Sequence, residues 1–140
     1  MNISARAHRI LRVMANYHTL ADGQQLPAGM VKLPDLPKDE SPVGIYVNDP
    51  STFADSVFFT TEGVYVFRSK HWDHVKFSDI AKTVTPERKE KLSGFDLQLR
   101  NGESFWLPIT GNKDGKFFDA FEVLRFFIRV IDDIQPGRLG

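Results

Sequence analysis

The sequence predicts a mainly β fold with helices (α+β): a seven-stranded antiparallel barrel or sandwich, capped by a C-terminal helix and preceded by an extra N-terminal helix. Three observations lead there. Short runs rich in Val, Phe, Tyr and Thr recur between residues 43 and 109, separated by turn residues. A strongly amphipathic stretch, Lys116 to about Asp133, follows them. The strands come first and the helix last, which suits an antiparallel body with a stopper at one end. The 140 residues, 41% apolar and 12% aromatic, suffice for one domain with its own core.

The elements follow in order. Ser4 to about His18 reads as a helix, because Ile3, Ala7, Ile10, Met14 and Tyr17 recur at helical spacing. Residues 1–20 thus form an N-terminal amphipathic segment. Residues 21–42 form a connection whose four prolines, Pro27, Pro34, Pro37 and Pro42, forbid a regular element. The body spans 43–134. Its strands are Val43–Asn48, Ser56–Thr60, Val64–Arg68, Val75–Phe77, Ala81–Thr85, Phe95–Arg100 and Ser104–Ile109. Asn48-Asp49-Pro50-Ser51, Glu62-Gly63, Ser69–Asp73 and Asn101-Gly102 are turns. The charged run from Pro86 to Lys91 is an exposed loop, and residues 135–140, with Pro136 and Gly137, form a fraying tail.

The last hairpin has two registers. A three-residue loop, Arg100 to Gly102, with Gly102 left-handed, pairs Leu99 with Glu103. It gathers Phe95, Leu97, Leu99, Phe105, Leu107 and Ile109 on one face and turns Trp106 outward. Each buried Leu or Phe contributes about 1.5–3 kcal/mol, which selects this register over a two-residue loop. The C-terminal helix carries two apolar stripes. Phe117, Phe121, Leu124, Ile128 and Ile131 form one; Val123, Phe127, Val130 and Ile134 form the second. One stripe can seal the barrel. The second needs the N-terminal helix or another copy of the chain, in a homodimer.

With Phe59-Thr60-Thr61-Glu62-Gly63-Val64-Tyr65-Val66, then Trp72, then Phe77-Ser78-Asp79-Ile80, and with Leu97-Gln98-Leu99-Arg100-Asn101-Gly102 before an apolar strand, the chain resembles the pleckstrin-homology-like superfold. The likeness covers about residues 40–134 and is to its small bacterial and GRAM-type members. It implies four strands, three strands and a capping helix. Phosphoinositide binders of that superfold carry a basic loop after the first strand. Here Asn48 to Asp55 holds two acids and no base, so lipid binding is not implied.

Several chemistries lack their residues. No cysteine is present, which excludes thiolate zinc sites, thiol catalysis and disulfides. Lys+Arg and Asp+Glu both total 18, which speaks against a nucleic-acid partner. His71-Trp72-Asp73-His74 offers His71, Asp73 and His74 as metal ligands, but three donors on one short turn lack a further ligand, so a polar turn anchored by Trp72 is the simpler reading. Gly111 to Lys116 fits neither a phosphate loop nor a calcium loop; it reads as a turn with Asp114 capping the helix. No Gly-x-Ser-x-Gly elbow occurs, and the carboxylate pairs Asp39-Glu40 and Asp132-Asp133 read as solvated.

The expectation is therefore a soluble, cytoplasmic, non-enzymatic module without cofactor that binds a protein or peptide through Trp106, Trp72 and Phe53. An alternative is peripheral contact with anionic lipid through Arg6, Arg9 and Arg12, since residues 1–21 hold three arginines and no acid. A metal-dependent enzyme at His71–His74 is the third.

Overall fold

A computed structural model describes residues 3–20, 32–84, 93–113 and 117–134. The expectations for Pro27, for the run from Pro86 to Lys91, for Asp114 and Lys116, and for the tail 135–140 fall outside the described residues.

The architecture is α+β, with two antiparallel sheets rather than one seven-stranded barrel. Helix α1 (Ile3–Ile10) leads into strands β1 (Tyr17–Thr19), β2 (Pro42–Tyr46), β3 (Val57–Thr60), β4 (Gly63–Arg68) and β5 (His71–Lys76), which pair in that order as a five-stranded meander. A 3-10 turn, Phe77–Asp79, then leads to β6 (Ile80–Val84), β7 (Gly94–Leu99) and β8 (Ser104–Pro108), a three-stranded meander. Short strands β9 (Asn112–Lys113) and β10 (Phe117–Phe118) pair with each other before helix α2 (Asp119–Ile134). The 3-10 turn interrupts the ladder. Among the described residues no hydrogen-bonded pairing joins β5 to β6 or closes the sheets on each other.

The extra strand comes out of the expected first helix. That helix stops at Ile10, and by Tyr17 the chain is paired with Tyr46. Eight residues are too few for an isolated helix to persist, so α1 depends on docking against α2 and β2. All five residues of the predicted stripe, Ile3, Ala7, Ile10, Met14 and Tyr17, are nevertheless buried. Hydrophobic spacing marked which residues go inside; strand pairing decided the backbone after Ile10.

Three further expectations are corrected. The turn over Ser69–Asp73 shrinks to Ser69 and Lys70, both left-handed (φ 50° and 66°), which pairs Arg68 with His71 and draws the whole His71–His74 tetrad into β5. Phe77 leaves the strand for the 3-10 turn. Helix α2 begins at Asp119 rather than Lys116, because Phe117 and Phe118 pair with Lys113 and Asn112, and Asp119 N–H donates to the Gly111 carbonyl at 3.0 Å.

The last hairpin adopts the three-residue loop. Phe95 faces Leu107 and Leu97 faces Phe105, while Leu99 N–H donates to the Glu103 carbonyl at 2.8 Å. Gly102 sits at φ 91°, where a side chain would be strained.

Most of the second stripe of α2 turns inward, and part of the first turns outward. Val123, Phe127 and Val130 are fully buried, together with Ala120, Phe126 and Ile131. They face both sheets, and Phe59, Phe77, Phe95, Phe126 and Phe127 meet largely edge to face at centroid distances of 5.7–6.4 Å. The stripe for which the N-terminal helix or another copy of the chain was the expected cover is thus buried inside the chain. Phe121 and Ile128 lie outward instead, and Leu124 is partly covered. Helix α1 lies along α2, held by an Arg6–Asp133 ion pair, so this carboxylate is not a merely solvated end.

Candidate functional site: the strapped outer face of the five-stranded sheet

Strands β2, β3 and β4 are apolar on both faces. Val57, Phe59, Val64 and Val66 belong to the main core, whereas Ile45, Val47, Phe58 and Tyr65 form a second buried cluster with Leu20 and Phe53. Consecutive apolar residues such as Val57-Phe58-Phe59 require cover on both sides of the sheet. On the outer side the cover is the irregular segment 32–40, whose Leu33 and Leu36 pack on the cluster.

Trp72, on β5, borders this face. Its ring meets Phe67 at 5.0 Å and Phe58 at 6.2 Å, and its indole N–H donates to the Lys32 carbonyl at 3.0 Å. Phe53 is buried, not displayed. It is held left-handed (φ 59°) in the loop between β2 and β3, with its N–H donating to the Asp49 carbonyl at 2.7 Å. That conformation costs about 1–2 kcal/mol, which burial of the ring offsets. Two residues expected to bind thus meet at one cluster.

The far end of the strap is polar. Glu40 is only 8% exposed, correcting its reading as a solvated acid. Thr60 Oγ1 donates to Glu40 Oε2 at 2.6 Å, and the Tyr65 hydroxyl donates to the same oxygen at 3.2 Å. Burial and the neighbouring Glu40 carboxylate push the Tyr65 hydroxyl up to about 12. His74 stacks on Tyr65 with centroids 4.1 Å apart, and desolvation there holds its imidazole below the usual value against the opposing pull of Glu40.

The strap is lightly held. Between Leu33 and Asp39 the only main-chain hydrogen bond among the described residues is the one the Pro37 carbonyl accepts from Glu40 N–H. A fully buried leucine is worth about 1.5–3 kcal/mol, and these two are half-buried. The indole–carbonyl bond adds about 1 kcal/mol.

The other predicted site residues are dispersed. His71 and Asp73 project from one face of β5, Trp72 and His74 from the other, as strand alternation dictates. His71 Nε2 contacts Asp73 Oδ1 at 3.0 Å, and Asp73 Oδ2 accepts from Arg68 Nε at 3.0 Å. His71 and His74 therefore cannot share one ion, and no group of three metal-binding side chains occurs among the described residues. Arg6 is taken by Asp133, while Arg9 and Arg12 are exposed. Trp106 stands on the outward face of β8, 39% exposed. Its ring lies over Gly94, where an added Cβ would come within 2.8 Å of ring Cζ2; Gly94 also holds a φ of 151°.

Sequence reading missed Glu40, Leu33 and Leu36. The signal for a cover was present in the unbroken apolar runs of β3 and β4, but nothing local said which segment supplies it. Comparison of the chain with protein-family models, with curated proteins and with solved structures gave no match.

Proposed function

We propose that the chain is a non-enzymatic binding module that engages a protein or peptide, on a framework of pleckstrin-homology-like type and in the cytoplasm. Trp106 carries this reading. A large indole kept 39% exposed on a strand face, seated on a glycine, provides rigid apolar contact area at little entropic cost. No cofactor enters the reading. The separation of His71 from His74 removes support from a metal enzyme. A helix α1 whose Ile3, Ala7 and Ile10 are already buried leaves little apolar face for a membrane, and no described helix is long and apolar enough to cross one.

The test compares affinity capture by the full chain and by its Trp106→Ala variant. A partner recovered by the parent is expected to fall at least tenfold with the variant; undiminished recovery removes Trp106 from the interface. Flotation with anionic vesicles at low salt addresses Arg9 and Arg12, and co-migration of the chain with the vesicles would favour the lipid reading.

A further inference from the structure

The strap behaves chemically as a ligand. It is irregular with a turn before its end, it packs Leu33 and Leu36 on the outer cluster, it presents a main-chain carbonyl to Trp72, and it ends on a carboxylate received by two hydroxyls, Thr60 and Tyr65. A segment that served only to connect two elements would not need a buried acid at its end. One hydroxyl of the face is left over: Ser56, immediately before β3, is fully buried and its Oγ has no hydrogen-bond partner among the described residues.

Charge adds a direction. The ring of His74, stacked on the Tyr65 ring whose hydroxyl reaches Glu40, also lines an open cleft of about 530 Å³ that runs to Lys76, Asp79 and Arg100. Arg100 Nε donates to the Ser78 carbonyl at 2.9 Å, and neither Arg100 nor Lys76 has an ion-pair partner among the described residues. Two cations against one acid thus border the carboxylate end of the groove.

We propose that the outer face of the five-stranded sheet is a recognition groove for a short acidic peptide, carrying two apolar side chains three residues apart and a carboxylate four residues later, and that residues 32–40 close it in cis. The strap then competes with the external peptide, and the scarcity of its main-chain hydrogen bonds among the described residues makes it the displaceable partner. This rests on the reading of the chain as a binding module and names the chemistry of what it binds.

The test uses the full chain with Leu33→Ser and Leu36→Ser, which loosens the strap and leaves the groove intact. The probe is a fluorescent synthetic peptide of residues 32–41, Lys-Leu-Pro-Asp-Leu-Pro-Lys-Asp-Glu-Ser. Saturable one-to-one binding is expected, at least tenfold tighter than to the parent chain, and at least tenfold weaker when the peptide carries Gln in place of Glu40. In ¹H–¹⁵N spectra the Trp72 indole signal is expected to move when the strap is loosened and to return toward its parent position with peptide. Should the double variant not fold, Leu36→Ala alone serves the same comparison. A folded variant that binds no peptide at millimolar concentration, or binds it without response at Trp72, overturns the proposal. If the peptide fails while capture still depends on Trp106, the groove is refuted and the binding reading survives. If the peptide binds while Trp106→Ala changes nothing, the groove stands and Trp106 is dismissed.

Discussion

The two faces of the five-stranded sheet differ in what covers them, though they are almost equally apolar. The inner face meets α2 and the second sheet, and its cover is made of regular elements whose main-chain groups are satisfied internally. The outer face meets segment 32–40, which has no regular structure and is held by two leucines, an indole hydrogen bond and a buried acid. Burial alone therefore does not say how firmly a surface is closed. An interior cover brings cooperative stability with it, whereas the strap contributes side-chain contacts that can be given up singly.

The sharpest way to break this contrast is to truncate neighbouring phenylalanines of β3 that point to opposite sides. Phe59→Ala, which removes ring contacts with Tyr17, Phe126 and Phe127, is expected to cost about 3–5 kcal/mol in urea unfolding. Phe58→Ala should cost clearly less, because the strap can settle into the space. Equal losses would make the outer cluster as firm a core as the inner one.

A second pair of variants sharpens it on the outer side alone. Glu40→Ala leaves the Tyr65 hydroxyl without its acceptor and Thr60 Oγ1 with only the 3.3 Å contact to the Gly63 carbonyl, and is expected to cost about 1–3 kcal/mol. Ser56→Ala deletes a buried hydroxyl that has no partner among the described residues, and should be neutral or stabilise by up to about 1 kcal/mol. Thermal melts of both variants read the opposite signs directly.

The smallest effect is a titration. Tyr17 and Tyr46 on the inner side and Tyr65 on the outer side all have hydroxyls raised by burial, Tyr46 additionally by its 2.7 Å hydrogen bond to Asp119. A raised folded value means that the unfolded chain loses these protons first, so stability falls as pH rises above about 10. Tyrosinate absorbance should show Tyr65 ionising near 12 in the folded chain, ahead of the inner pair, and Tyr65→Phe should remove that first step. Simultaneous ionisation of all three would mean that the outer face opens only with global unfolding.

Much of the fold was legible because it depends on local pattern. Alternation and turn chemistry placed the expected strands within a residue or two, except Val75–Phe77, whose strand already begins at His71. Counting apolar side chains on one face selected the register that puts Phe95 against Leu107. The five residues of the first stripe were marked for burial correctly even though the chain leaves the helix after Ile10. The site was far less legible. Trp72 and Phe53 stood out as aromatics, but nothing in their neighbourhoods tells a displayed ring from one tucked under a strap.

By itself the sequence determined which apolar side chains share a face, where most of the turns fall, and that neither a thiol nor an unpaired excess of charge is available to it. Those are properties of a residue and its near neighbours, fixed by hydrophobic spacing and backbone preference. Tertiary structure alone decided that two sheets form instead of a closed barrel, which stripe of α2 faces inward, and that Glu40 lies buried between Thr60 and Tyr65. Each of these outcomes sets one long-range contact against another of similar apolar area, so the choice falls to the shape of the assembled core and not to any short stretch of residues.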